Sequence, residues 1–458
     1  MVLLHVNSKE KMEESKQDNY DFLTHAPVHK AVLTMAIPTI VTMLVTSLYN
    51  MADTFFVGQL NTQSTAAVGI VFSVMFAIQA FGFFFGHGSG NYISRELGAK
   101  RHGNAERMAA NGFFYSFFFG IFLAILGEIL LEPLSVWLGS TPTIKPYTES
   151  YMGIVLLGAP FFTSSLTINN QMRLQGNARL AMLGITVGAV VNVALDPLFI
   201  FGFGWGVSGA AIATIAGQIL SFVILLRLTH TKRNISITWK NFTPSWHAVK
   251  EIFYGGSPSL SRQGLGCVAT IALNTSAGQY GDAAIAAMSI VTRITMFVMS
   301  AVVGLGQGFQ PTCGFCFGAK LYGRLKSAFW FTVEIGTVFL IVCAIVGITW
   351  AEPIVRLFRD DASVVAIGSR ALRWQLLAYP LNAFSMASNM LTQTCRYPWR
   401  ANLLAAARRG IFFIPAVILL PMWFGLTGVE TAQCVSDILG FLLTVPIMVY
   451  TLKRLGKE

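Results

Sequence analysis

Asp53, Asp196, Glu334 and Asp437 stand inside stretches of sequence that are otherwise apolar, and Glu128 and Glu430 stand nearer the ends of such stretches. An ionisable group in the middle of a membrane span costs roughly 2.5–3.5 kcal/mol on insertion scales, which makes each of these acids a functional candidate. Asp53 and Asp196 belong together on geometry. Each lies a turn or two before a polar break, near 60–63 and near 202. At about 1.5 Å per residue, both fall roughly 10 Å below one surface. Asn192 precedes Asp196 by one helical turn and shares its face. Thr214 enters from the following apolar stretch at similar depth. Two carboxylates, an amide and a hydroxyl at one level make an oxygen-rich site for a proton or for a small hard cation such as Na+.

Other polar groups could line a cavity around that site. Tyr49, Asn50 and Tyr151 are candidates, as are Asn169 and Asn170, although the last two fall nearer the opposite end of their span. Gln263 is a further candidate in the second half of the chain. Glu334 and Asp437 either line a cavity there or pair with Arg262, Arg293, Arg408 or Arg409, and pairing is the favoured reading. His87, in the run GHGSG, reads as a packing or cavity-wall histidine. Cys313 and Cys316 form a CxxC, but no second pair or nearby His completes a metal set. The six cysteines therefore read as small apolar helix residues. No HExxH, paired-His set or nucleophile motif argues for an integral-membrane enzyme.

The elements that hold these residues follow from composition. Of 458 residues, 54% are hydrophobic and 12% are charged, against about 25% charged in soluble domains. Lipid is the expected solvent. From Ala31 onward, apolar runs of about 20 residues alternate with short polar breaks, each run long enough to cross a ~30 Å hydrocarbon layer as a helix. Twelve such spans are expected, near 31–57, 65–92, 109–131, 147–172, 179–201, 207–228, 251–276, 283–309, 327–350, 367–392, 402–422 and 430–452. Barrel strands would instead alternate apolar and polar residues over about 10 positions. The net charge is +11. Its basic residues gather in alternate breaks, such as Arg95, Lys100, Arg101 and Arg107, while 58–64, 202–206 and 277–282 have none. That pattern sets membrane orientation, with both termini cytoplasmic, and gives no reason to expect nucleic acid as a partner. Residues 1–30 are polar, lack the features of a signal peptide, and are expected to form a disordered cytoplasmic tail.

Sliding the chain by 220 positions brings landmarks into register. Gly98-Ala99-Lys100 falls on Gly318-Ala319-Lys320, Glu132-Pro133 on Glu352-Pro353, Pro38 on Pro258, and Pro160 on Pro380. The expected fold is all-α: two six-helix lobes, 31–228 and 251–452, joined by a cytoplasmic linker at 229–250 and followed by a short tail at 453–458. An even number of spans per copy makes the repeat parallel, about an axis along the membrane normal. The images of Asp53 and Asp196 are Leu273 and Ala416, so the acid pair is private to the first lobe.

The pattern resembles the multidrug and toxic compound extrusion family. The resemblance covers residues 30–452 and rests on AIPTIVTMLVTSLYNMADTFFVGQL, SRELGAKRHGNAER, NNQMRLQGNARLAM and VVNVALDPLFIFGFGWGVSGAAIAT. It implies two lobes in a V around a central cavity, and export of organic cations and other amphipathic compounds in exchange for H+ or Na+. It also implies Asp53 and Asp196 as coupling carboxylates, supported by Asn192, Thr214, Tyr49, Tyr151 and Asn169 or Asn170. Some branches carry the cation-site acid in the seventh helix. Gln263 and the absence of an acid in the core of that span favour coupling in the first lobe. The expected protein is a monomer in the inner (plasma) membrane, with a cationic drug or metabolite as its partner and no cofactor beyond the coupling ion. A lipid-linked saccharide flippase of the related superfamily is the alternative. Extra helices and a basic cavity would mark it, whereas most arginines here are placed near the inner ends of spans.

Overall fold

The computed structural model describes residues 19–231 and 234–456. Residues 19–25 form a first helix, α1. The N-terminal lobe follows as α2 (Val28–Gly58), α3 (Thr62–Gly98), α4 (His102–Ile129), α5 (Leu131–Trp137), α6 (Lys145–Leu157), α7 (Ala159–Leu174), α8 (Ala178–Pro197) and α9 (Gly206–Thr229). The C-terminal lobe comprises α10 (Trp246–Gly278), α11 (Asp282–Gly318), α12 (Tyr322–Thr349), α13 (Ala351–Phe358), α14 (Ala362–Ala378), α15 (Leu381–Thr394), α16 (Pro398–Ala406), α17 (Phe413–Phe424) and α18 (Leu426–Arg454).

Among the described residues, nine helices are long and apolar enough to cross a membrane. The pair α6 and α7 makes a tenth span if counted as one, with a 50° bend at its break. The bend falls at Gly158, where Pro160 follows without an N–H for the helix ladder. The spans expected at 251–276 and 367–392 fall on α10 and on α14 with α15. These helices sit where they should but are less apolar, because they bury polar side chains against their neighbours: Glu251, Ser257 and Ser259 on α10, and Asn382, Asn389 and Gln393 on α15.

The internal repeat is visible in individual hydrogen bonds. The Asn169 amide donates to the Ala181 carbonyl at 2.8 Å, and Asn389 donates to Ala401 at 2.8 Å. Lys100 and Lys320 both adopt the left-handed conformation, at φ 60° and 59°. Each ends its helix in the same turn, closed by Arg101 N to Glu96 O and by Leu321 N to Cys316 O, both 2.8 Å.

The lobes meet at one end. Gly88 on α3 packs on Ile252 of α10, Gly308 on α11 packs on Ala36 of α2, and Gly318 packs on Arg95. Only a missing Cβ lets these backbones approach so closely. Inter-lobe hydrogen bonds among the described residues run inward from Ser47–Ser300 at 2.9 Å and fall in the same half. This is the end that carries the basic turns. The cleft therefore opens toward the other end, where the turns at 59–61 and 279–281 lie.

One expectation is corrected here, the disordered tail. Residues 19–30 are built into the fold: Leu23 is fully buried, and Asn19 donates to Asn177 Oδ1 at 3.1 Å. Arg324 donates to the carbonyls of Leu23, at 3.1 Å, and Ala26. The apolar side of α1 thereby straps both lobes at the closed end. The rest of the expected tail, 1–18, lies outside the described residues. The linker also packs on the first lobe, through Asn111 to Thr243 in both directions at 2.9 Å.

A Cβ at Gly88 would lie 2.3 Å from the Ile252 carbonyl oxygen. Gly88→Val is therefore expected to hold the lobes apart at the basic end. Spin labels at positions 103 and 323, where glycines meet nothing within 4 Å, would read this as a longer inter-lobe distance in a background without native cysteines. An unchanged distance distribution would refute it.

Candidate functional site

The first lobe brings α2, α6, α8 and α9 together around Asp53 and Asp196. Gly188 and Gly217 let α8 and α9 pack backbone to backbone, since a Cβ at Gly217 would sit 2.7 Å from the Gly188 carbonyl. That contact sets Asn192 and Thr214 opposite each other, with the Asn192 amide 3.5 Å from Thr214 Oγ1. Directly after Asp196-Pro197, residues Leu198–Gly202 form a π-helical turn, closed by Phe203 N to Leu198 O at 2.9 Å. Such wide turns recur at functional sites because they re-aim the preceding residues.

The acids are deeply placed: Asp196 is 0% exposed and Asp53 is 7% exposed. Tyr151 donates to Asp53 Oδ2 at 3.4 Å, and Asn192 donates to Asp196 Oδ1 at 3.4 Å. Both contacts are long. Asp53 Oδ1, Asp196 Oδ2 and Asn192 Oδ1 are buried and accept no hydrogen bond from the described residues. Buried acceptors are rarely left so, and a proton or a cation is what would satisfy them. Beside this cluster lies a cavity of about 710 Å³, lined by Tyr49, Gln79, Asn192, Thr214 and Gln218 among apolar residues. The two carboxylates stand behind its wall and do not line it. Gln79 and Gln218 were not singled out from the sequence, because an isolated glutamine in a span has no spacing signal.

The remaining candidates separate from this site. Asn169 is tied to Ala181, while Asn170 donates to Leu166 at 2.7 Å and accepts from Arg173 at 2.7 Å. Both lie toward the closed end, outside the cavity lining, so the expectation that they line it is not met. The Asn50 side chain lies outside the described set. Gln263 is half-buried on α10, and Glu334 is exposed on α12; neither lines the cleft of its lobe. Asp437 is buried and accepts from Arg408 at 2.7 Å, Asn382 at 2.9 Å and Gln433 at 2.8 Å. Glu430 forms a two-pronged pair with Arg370, both contacts 2.6 Å.

A second polar assembly, missed in the sequence, closes the cleft at the basic end. Glu251 on α10 receives Arg95 from α3 at 3.0 Å and Arg396 at 2.6 Å. Arg95 also donates to the Thr394 carbonyl at 2.7 Å. Arg173, 2% exposed, donates to the Gln307 carbonyl across the lobe boundary. His87 meets Ser259 at 2.9 Å on the same boundary, a packing position. Arg95 and Glu251 are far apart in the chain, so nothing in local spacing announces the pair.

Two repeated helical lobes about a cleft, with unpaired carboxylates at depth in one of them, define a polytopic membrane protein with the architecture of secondary transporters. The chain belongs to the MatE family, whose model matches residues 38–198 and 258–414, one stretch in each lobe. It is 26% identical over 441 residues to the multidrug export protein MepA of Staphylococcus haemolyticus strain JCSC1435, covering 96% of this chain and 97% of that one. It is equally similar to MepA of Staphylococcus aureus strain MRSA252, at 26% over 442 residues with the same coverage. Among solved structures, the outward-facing conformation of a multidrug resistance MATE family transporter of the MOP superfamily superposes with a TM-score of 0.91 at 25% identity. The match covers 96% of this chain and 99% of that one.

Removing the Glu251 carboxylate leaves Arg95 buried beside a neutral partner, a change that costs about 3–5 kcal/mol for a buried pair. Glu251→Gln is expected to lower the melting temperature of the purified protein. Arg95→Gln with Glu251→Gln should be no worse than the worse single change. Additive losses would show that the two do not act as a pair.

Proposed function

We propose that this protein exports organic cations and other amphipathic drugs or metabolites across the plasma membrane in exchange for H+ or Na+, by alternating access. The observation that carries the reading is the cluster of orphaned oxygens on Asp53, Asp196 and Asn192, buried beside the first-lobe cavity. Two uncompensated negative charges at that depth are costly, so the cluster holds its ions only in exchange. With the carboxylates free of a bound ion, a cation in the cavity is attracted. With H+ or Na+ bound, the attraction is cancelled and α2 can repack, aided by Pro38, which interrupts its hydrogen-bond ladder. A coupling ion drives the cycle only through its different affinity for the two states. The similarity to export proteins named for multidrug substrates supports the same reading. The end bearing Arg95, Lys100 and the linker is taken as cytoplasmic, on the charge of its turns.

Asp53→Asn and Asp196→Asn keep side-chain volume and hydrogen bonding but lose the exchangeable charge. Each is expected to abolish gradient-driven uphill dye efflux from proteoliposomes, under an imposed pH or Na+ gradient applied separately, while expression and folding stay normal. If both variants pump at the wild-type rate, the coupling site is elsewhere. Glu334 and Asp437 would then be the next candidates.

A further inference from the structure

We propose that the C-terminal lobe holds a second binding pocket, which takes an oxyanion, the carboxylate or phosphate group of an amphiphile, on Arg409 with Arg262 behind it. The pocket is a cleft lined by Thr270, Thr292, Thr295, Tyr379, Arg408 and Arg409 among other residues. It occupies the place of the first-lobe cavity under the 220-residue repeat. Phe72 and Met75 line one and Thr292 and Thr295 the other, and Gly188 and Ala189 correspond to Arg408 and Arg409. The backbone frame is thus conserved between the lobes while its lining turns from apolar to hydroxyl and guanidinium.

The charges there do not cancel. Arg408 is taken up by Asp437, and that carboxylate is itself saturated by Asn382 and Gln433. Arg409 has no carboxylate partner among the described residues. Arg262 donates to the Asn389 amide oxygen at 3.0 Å, and the charge that bears on it is Arg409. Glu430, the next acid on α18, is committed to Arg370. Three guanidinium groups therefore face one carboxylate. Arginine does not shed its proton to relieve such crowding.

Two independent features mark the place as built for a ligand. Arg408 and Arg409 ride on a π-helical turn, Ala407–Ile411, closed by Phe412 N to Ala407 O at 3.0 Å. Pro415 cannot donate to the Ile411 carbonyl, which favours the wide turn. Both arginines of the turn line the cleft. In the wall opposite, Gln375 is 4% exposed and its side-chain oxygen has no partner. A side-chain amide can present either its oxygen or its N–H₂ to a ligand. A carboxylate or a phosphate offers the matching acceptors, and arginine forks bind either in two-pronged fashion. A bare cation would be repelled. The pocket thus extends the substrate class beyond organic cations, to zwitterionic and anionic amphiphiles.

The test is equilibrium binding to the purified full chain in nanodiscs, with a rhodamine that bears a free carboxylate and the methyl ester of the same dye. In phosphatidylcholine discs the acid is expected to bind at least about tenfold tighter than the ester. Arg409→Gln and Arg262→Gln should each erase most of that preference and leave the ester within about twofold, with Arg409→Lys recovering part of it. Phosphatidylglycerol discs separate the sources of the oxyanion. If the lipid phosphate is the occupant, acid binding falls in those discs and native phosphatidylglycerol co-purifies with the wild type and not with Arg409→Gln. Equal binding of acid and ester by the wild type, with no retained phosphatidylglycerol, overturns the proposal. So does an equal loss of both dyes in the variants. Binding is read without transport, so the result is independent of the Asp53 and Asp196 efflux test.

Discussion

A charge at membrane depth must be compensated by a partner, by a bound ion or by water in a cavity, and this chain uses a different arrangement in each of three places. At the closed end Glu251 is shared between Arg95 and Arg396, and the ion triple joins the lobes. In the first lobe, Asp53 and Asp196 have no basic partner among the described residues and keep buried oxygens unsatisfied there. In the second lobe the excess is positive, around Arg262 and Arg409. The first arrangement is complete in itself and therefore structural. The other two are incomplete without a ligand, and each lies beside a cleft through which one can arrive.

The duplicated frame explains why two opposite sites can share one fold. Backbone features recur with the repeat: the Asn169 and Asn389 ties, and the left-handed Lys100 and Lys320. These depend on helix geometry and tolerate little change. Side chains that face the cleft carry no such duty, so they are free to diverge. Asp53 and Asp196 give way to Leu273 and Ala416, and Gly188 and Ala189 to the two arginines. The glycine contacts at the closed end belong to the conserved frame. They let α2 lie on α11 and α3 on α10 closely enough for the polar triple to form between them.

Much of this was legible in the sequence because membrane helices write their positions in long apolar runs and their orientation in the basic turns. The repeat, the two lobes and the grouping of Asp53, Asn192, Asp196 and Thr214 follow from spacing alone, since all four lie within a few turns of the same surface. The apolar signal weakened at α10 and at α14 with α15, where buried amides and hydroxyls serve packing between helices. The helical start at 19–25 was unreadable for a different reason: its few apolar residues, Leu23 among them, become meaningful only against Arg324 and Phe315 in the other lobe. The Arg95–Glu251 pair and the π-turn at Arg408 were invisible likewise, because long-range pairing and a one-residue widening of a helix leave no period. Arg408 was legible as a partner for Asp437, one of four arginines named for it, but spacing did not single it out from the others.

The opposite polarity of the lobes also constrains where energy can enter. An arginine stays protonated throughout the physiological range, so the basic lobe can attract a ligand but cannot exchange a proton for it. Asp437, the one carboxylate there with cleft-side neighbours, is held by three donors, Arg408, Asn382 and Gln433. The first lobe has the reverse properties. Its acids are held by a single long contact each, and protonation or cation binding removes a penalty and breaks no strong bond. On the proposed reading, exchange therefore belongs to the first lobe. A substrate that touches both lobes would find a variable charge on one side and a constant charge on the other. Only the variable side can make affinity differ between the two ends of the cycle, and such a difference is what allows an ion gradient to do work on a bound molecule.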